Sequence, residues 1–216
     1  MSLMPVSRRF LLRMTVVGAA TSAVLFRTAR AEPASSDVVL PVQRLNAALL
    51  SIMKAGERVP FKQRFEMLAP VVDQAFDLPA VLQVSVGPRW ASLQPDEQAR
   101  LLAAFRRYTI ATYVANFNSF SGQSLQGAPE IRSLSSGDRV VQTTIAAPGE
   151  PGHTLSYVMR QTASGWKAVD VLADGTISRV AVQRSDFRTV LASGGTSALV
   201  AMLERKIADL SGGRLA

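Results

Sequence analysis

The order of patterns along the chain predicts an α+β fold, with an antiparallel sheet of about four strands covered by N- and C-terminal helices. Three observations carry this. Apolar residues recur at helical spacing between Leu40 and Phe120. The period changes to two between Ile131 and Val171, with short glycine turns separating the alternating runs. Helical spacing then returns through Leu199, Leu203 and Ile207. A chain of 216 residues suits one well-buried domain.

The first segment reads as an export signal. Ser7-Arg8-Arg9-Phe10-Leu11-Leu12-Arg13 is basic, Met14 to Phe26 is apolar, and Ala29-Arg30-Ala31 offers small residues where a signal peptidase reads. Arg27 closes the apolar run short of the about 20 residues a membrane span needs. The expectation is cleavage after Ala31, with 32–216 as a single mature domain. The Ser-Arg-Arg start is similar to a twin-arginine signal, although Phe10 and Leu11 stand one place out of the usual order. Both that route and general secretion stay open. Glu32 to Ser36, with Pro33, makes a loose polar lead.

Asp37 suits the cap of a first helix carrying Leu40, Leu45, Leu49 and Met53, and Gly56 ends it. Phe61, Phe65, Leu68, Val72 and Phe76 form a second helical stripe, which Pro70 is expected to kink or split. Asp77 and Pro79 start a short third helix that Gly87-Pro88 stops. Pro95, Asp96 and Glu97 open the longest helix. Its stripe runs through Leu101, Phe105 and Tyr108, continues through Tyr113, Phe117 and Phe120, and stops at Gly122. From Ile131, strands alternate through Val141, Thr143 and Ile145, then Leu155, Tyr157 and Met159, then Val169 and Val171 after Trp166. Ile177, Val180, Ala181 and Phe187 fit a further helix. Gly194-Gly195 breaks it, and Thr196 or Ser197 caps the last one.

Composition narrows the function. The net charge of +8 includes five arginines ahead of Glu32 with no acid among them. The 24 basic residues less those five leave 19 against 16 acids, a mature net of +3. That balance does not point to nucleic acid, which calls for a concentrated basic face. Hydrophobic residues make up 48% but aromatics only 6%, so the apolar content is aliphatic and suits a cavity wall as well as a core. The absence of cysteine leaves the fold without disulfides, gives no lipid-attachment cysteine and, with His153 the single histidine, no Cys/His metal site. No cofactor is called for.

Catalytic motifs are sparse. His153 stands in a Pro/Gly-rich turn, where a solvated histidine is the ordinary reading. Gly194-Gly195-Thr196-Ser197 is a weak anion-site pattern and more commonly a cap. Asp170, between two strand valines on the alternate face with Trp166 and Ala168, reads two ways. It is either a general base in a sheet-walled pocket or a structural acid bonded to backbone or to an arginine such as Arg184. Arg100, Arg106, Arg107 and Arg160 are cations for a membrane or protein partner, or simply a solvated face.

The most specific signal spans Gly165 to Lys206. It holds Gly165-Trp166-Lys167-Ala168-Val169-Asp170-Val171, Asp174-Gly175-Thr176-Ile177-Ser178 and Arg184-Ser185-Asp186-Phe187. Beyond the Gly194-Gly195 pair comes Leu203-Glu204-Arg205-Lys206. This order resembles the C-terminal half of the MlaC, or toluene-tolerance, family of periplasmic lipid-binding proteins. The D-G-T-I-S and L-E-R-K-I variants look most like its hopanoid-associated HpnM subgroup. The resemblance implies a cone of curved sheet and helices with a hydrophobic pocket for phospholipid or hopanoid, and no enzymatic activity. It also implies an inner-membrane lipid transporter complex as partner, with an outer-membrane acceptor in the phospholipid version and a different membrane exporter in the hopanoid one. The inward stripes place Val72, Phe76, Phe105, Tyr108, Val141, Tyr157, Val169 and Val171 as the expected pocket wall. Tyrosines at a pocket rim would hold a polar headgroup while their rings touch chains.

Overall fold

Val42, Leu45, Leu49 and Ile52 fall on one stripe of the first helix, α1 (Ser36–Ala55), and all are buried, as spacings of three and four dictate. The computed structural model describes residues 36–215. The expected export signal, its cleavage point after Ala31 and the lead up to residue 35 lie outside the described residues. Leu40, expected on the stripe, is 39% exposed because Val38 and Val42 take the inward positions instead. By length and composition α1 is apolar enough to cross a membrane, but its apolar stripe is a core face, packed on the next helix and the sheet. Asp37 stands in its first turn. The helix ends at Ala55 because Gly56 takes φ +56°, the left-handed region glycine enters without strain.

Helix α2 (Phe61–Ala75) runs unbroken through Pro70, so the expected split does not occur. Asp77 caps α3 (Leu78–Val86) by accepting the Ala80 N–H at 3.1 Å. A 3-10 segment (Gly87–Ser92) leads to α4 (Pro95–Asn116), where the Glu97 carboxylate accepts the Gln94 N–H at 3.1 Å. The helix stops at Asn116, six residues before Gly122, because Asn116-Phe117-Asn118-Ser119 favours turn conformations over helix. Phe117 remains stacked on Tyr113, with ring centroids 6.0 Å apart, while Phe120 is exposed beneath the Lys54 ammonium. The apolar stripe continues in space, but the helix does not.

The sheet is an antiparallel meander of five strands in chain order: β1 (Ser124–Ser133), β2 (Arg139–Ala146), β3 (His153–Thr162), β4 (Gly165–Ala173) and β5 (Ile177–Ser178). β1 starts seven residues before Ile131, where Gly127 and Pro129 hide the alternation in the sequence. Ile177, expected in a helix, belongs to the short β5, and α5 (Arg179–Ser211) begins after it with Ser178 accepting the Ala181 N–H.

The helices pack on the face carrying Val141, Thr143, Tyr157, Met159 and Val171, all buried with them in one apolar cluster except Thr143, which accepts a 3.0 Å hydrogen bond from the buried Asn46 amide of α1. At the far side Phe76 bridges to Ala168, and the Asp77 N–H donates to the Ala168 carbonyl at 3.0 Å. The junction of α2 and α3 is thereby fastened to β4.

α5 is two helices joined at Gly195, whose φ +65° and ψ −162° lie in a region open essentially to glycine alone. This is the break expected at Gly194-Gly195. Gly194 packs against Ala198 so closely that a Cβ there would come within 2.5 Å of the Ala198 Cβ, whereas a Cβ on Gly195 meets nothing within 4 Å. Gly195→Ala therefore isolates backbone strain. It is expected to destabilise by about 1–3 kcal/mol, seen in thermal denaturation as a drop of roughly 2–4 °C in Tm for each kcal/mol in a domain of this size. An unchanged Tm would mean that the joint is not held in this conformation.

Candidate functional site

Cross-strand pairing sets side chains in rows on the inner face of the sheet. Val141, Tyr157 and Val171 form one row, and Thr143, Leu155 and Ala173 the next. Ile145 and His153 form the last, at the sheet's end. Over the last two rows and part of the first, the helices do not close down on the sheet, and a cavity of about 460 Å³ remains. α4 supplies Phe105, Tyr108 and Tyr113; the α2–α3 junction supplies Phe76, Leu78 and Val81; the sheet supplies Ile145, Leu155, Val171 and Ala173. Arg179, Val180 and Gln183 close the side where α5 begins. Thr109 and Thr112 also border the space, but their hydroxyls donate to the Phe105 and Tyr108 carbonyls at 2.9 and 2.8 Å, so their polarity is satisfied within the helix. Exposed Asn116, Ser119 and His153 mark the mouth, with Gln123 beside them.

Four of the eight expected wall residues border this cavity: Phe76, Phe105, Tyr108 and Val171. Val72, Val141 and Tyr157 do not; they are buried in the packed core where helices and sheet meet. Val169 is displaced by a bulge. Tyr157 pairs with Val171 and Val158 with Asp170, but Met159 pairs with Ala168, which leaves Val169 without a partner across β3. The extra residue resets the alternation, so Ala168 and Val171, three apart, are both buried opposite Met159 and Tyr157. Strict alternation would have put Val169 with Val171 on the inner face. Of the wall residues that were not singled out, Leu155 and Ile145 share the inner face by simple alternation, so their signal was present in the sequence. Met53 and Val180 stood on helical stripes, and Leu78 carried no signal beyond being apolar.

Two tyrosines give the interior its polar character. Tyr113 lies deep within the protein yet keeps accessible surface, and that surface belongs to the cavity. Burial holds its phenol well above the ordinary range, the neighbouring Tyr157 adds to the shift, and the Arg179 guanidinium opposes it. Tyr157 is fully buried, and burial raises its phenol as well. The two phenols influence each other, but no hydrogen bond of ordinary geometry joins them, and the Tyr157 hydroxyl meets no partner among the described residues.

Asp170 borders the cavity, but its carboxylate is bound into the frame. Oδ1 accepts the N–H of Val171 at 2.7 Å and of Val180 at 3.1 Å, and Oδ2 accepts the Ser178 hydroxyl at 2.5 Å. The suggested partner Arg184 lies instead beside Gly87. This is the structural reading of Asp170: one carboxylate ties β4 to β5 and to the start of α5. His153 is exposed at the head of β3, with Nδ1 3.7 Å from Asp174.

Three of the four arginines considered as partner-binding cations brace the fold. Arg106 makes a two-pronged bond to Asp73 at 2.7 and 2.6 Å, and Arg160 one to Asp138 at 3.0 and 2.8 Å. Arg107 bonds Glu204 at 2.7 Å and donates to the Leu215 carbonyl at 2.6 Å. Arg100 pairs with Asp96 one turn away on the exposed side of α4.

Residues 43–205 match the family model described as MlaC protein. The fold is similar to that of a phospholipid-binding protein from Ralstonia solanacearum, solved in complex with a phospholipid. The TM-score is 0.70 at 22% sequence identity, over 82% of this chain and 99% of that one.

The tyrosine pair makes a pH prediction. Both folded-state values lie above the unfolded tyrosine value of about 10. The folded state thus keeps its protons where the unfolded state loses them, and stability falls as pH rises above about 10. Phenolate absorbance should show Tyr113 and Tyr157 ionising only together with loss of tertiary structure. Reversible ionisation of all the tyrosines with the fold intact would contradict their placement.

Proposed function

This chain belongs to the MlaC family, and we propose that it is a periplasmic lipid carrier that holds an acyl chain of a membrane lipid in the cavity between α4 and the sheet. The observation that carries this is the cavity itself, a mainly apolar space with Asn116, Ser119, Gln123 and His153 at its mouth. Each methylene exposed to water costs about 0.8 kcal/mol, so withdrawing much of one chain from a bilayer costs on the order of ten kcal/mol. A carrier offsets that with walls as apolar as the bilayer and needs no reactive group. A methylene is about water-sized, roughly 30 Å³, so a space of about 460 Å³ has room on the order of one chain.

The mouth chemistry suits the rest of the molecule. Asn116, Ser119, Gln123 and His153 offer hydrogen bonds where a headgroup would emerge. Phospholipid is the first ligand proposed, supported by the phospholipid held by the Ralstonia protein of the same fold. A hopanoid is the second, favoured by the Asp174-Gly175-Thr176-Ile177-Ser178 and Leu203-Glu204-Arg205-Lys206-Ile207 sequences. Transfer between membranes, with an inner-membrane transporter complex as donor or acceptor and an outer-membrane partner beyond it, belongs to the same proposal. So does export by the segment ending at Ala31. The competing reading, a cone-shaped isomerase with Asp170 as base, has the geometry against it. All three hydrogen bonds to that carboxylate come from the frame, so it is engaged in holding β4, β5 and α5 together.

Solvent extraction of the purified mature protein followed by mass spectrometry should release a membrane lipid. No lipid, together with no uptake from liposomes, would overturn the carrier. Val171→Trp tests the wall. Its ring should enter the cavity and reduce lipid loading more than about tenfold, since two or three lost methylene contacts already amount to that, with the fold retained. Unfolding without a folded, lipid-free species would instead place Val171 in packed core, where overpacking costs about 1–3 kcal/mol.

A further inference from the structure

A second cavity, a cleft of about 440 Å³ open to solvent at the exposed Pro79, Ala163 and Ser164, adjoins the first and is bordered on α4 by Leu102 and Arg106. Among the described residues the two spaces have two wall residues in common, Phe76 and Leu78. These side chains stand on either side of Asp77 and separate the lipid cavity from the cleft.

The partition is fixed from several directions. The Phe76 N–H donates to the Val72 carbonyl at 2.9 Å and the Asp77 N–H to the Ala168 carbonyl at 3.0 Å, so the backbone is tied to α2 and to β4. The Asp77 carboxylate caps α3 through Ala80, which fixes Leu78 at the first position of that helix. The Phe76 ring packs against Tyr113 at 5.8 Å and Tyr157 at 6.4 Å between centroids, and the residue is only 6% exposed. A ring wedged between two others is a wall rather than a swinging gate.

The cleft beyond would accept a chain end. Its charged groups are already matched within the protein: Arg106 with the Asp73 carboxylate, the Lys167 ammonium with the Asp73 carbonyl at 2.9 Å, and Asp77 with its helix. Leu78, Pro79, Leu102 and Ala163 are left as apolar surface. We propose that Phe76 and Leu78 form the floor of the lipid cavity and set the longest acyl chain it accepts, with the second cavity as the space that a longer chain reaches once the floor is removed. This rests on the carrier reading and adds a determinant of chain length to it.

The test is to titrate delipidated wild-type protein, Phe76→Ala and Leu78→Ala with saturated fatty acids of increasing length, using calorimetry. For the wild type, affinity should rise about fourfold with each methylene that finds apolar wall, up to a length beyond which it stops rising. In the variants that limit should move outward by several carbons. The longest acids should bind at least about tenfold tighter than to wild type, with short acids little changed, because two further buried methylenes already give that ratio. The same limit in wild type and in every folded variant overturns the floor and leaves the carrier standing. A wild type that binds no acid and takes up no vesicle lipid overturns the carrier, and the floor with it. Should Phe76→Ala not fold, Phe76→Leu with Leu78→Ala reads the same limit.

Discussion

A large apolar space inside a protein works against folding, because the atoms lining it forgo the dispersion contacts that a filled core would give. At roughly 24 cal/mol for each Å³, a dry void of about 460 Å³ would cost on the order of ten kcal/mol, comparable to the whole stability of an ordinary domain. No disulfide offsets this. The rest of the architecture answers that one constraint: walls must be kept apart by elements held from outside the cavity, since nothing spans its interior.

α4 shows how this is done. Phe105 faces the cavity, while the next two residues, Arg106 and Arg107, reach in different directions, one to Asp73 on α2 and the other to Glu204 on α5. Ion pairs with side chains about 40% exposed contribute no more than about 1 kcal/mol each, so their role is to fix the position of α4 rather than to supply stability. The Asp73 carboxylate raises the Arg106 guanidinium further, and the Arg160 guanidinium holds the Asp138 carboxyl below its ordinary range. On the opposite wall Asp170 gathers three donors from β4, β5 and α5, so the start of the last helix is positioned by the strand that lines the cavity. Together these contacts sit around the space rather than across it.

What could be read from the sequence follows from this division. Helical stripes and strand alternation report which residues turn inward, so the α+β class, the meander, the Asp77 cap and the Gly194-Gly195 break were all legible. Turning inward does not distinguish packed core from cavity wall. Val72, Val141 and Tyr157 satisfy the same periodicity as Phe105 and Val171, yet they meet other side chains where those meet open space. That difference lies in how far apart the elements stand, which depends on pairs such as Arg106 with Asp73, separated by 33 residues. The bulge at Val169 was invisible for another reason. Val-Asp-Val reads as perfect alternation, and an unpaired residue is a property of two strands together, not of either one.

The bulge also bears on how a sequence like this can vary. Away from the bulge, one residue inserted into or deleted from β4 would turn the strand over beyond that point, sending Val171 and Ala173 away from the inner face and breaking the Asp170 link to α5. Loss of the unpaired Val169 would instead leave the pairs on either side as they are. Between Gly165 and Ala173 a change of length is therefore tolerated only at the bulge. The β2–β3 turn at 147–152 is different: its Glu150 N–H bonds only back to the Ala147 carbonyl, and it lies beyond the last inner row. Length can change there without disturbing the register, so indels should collect at the cavity's mouth and leave its back wall constant in length apart from the bulge.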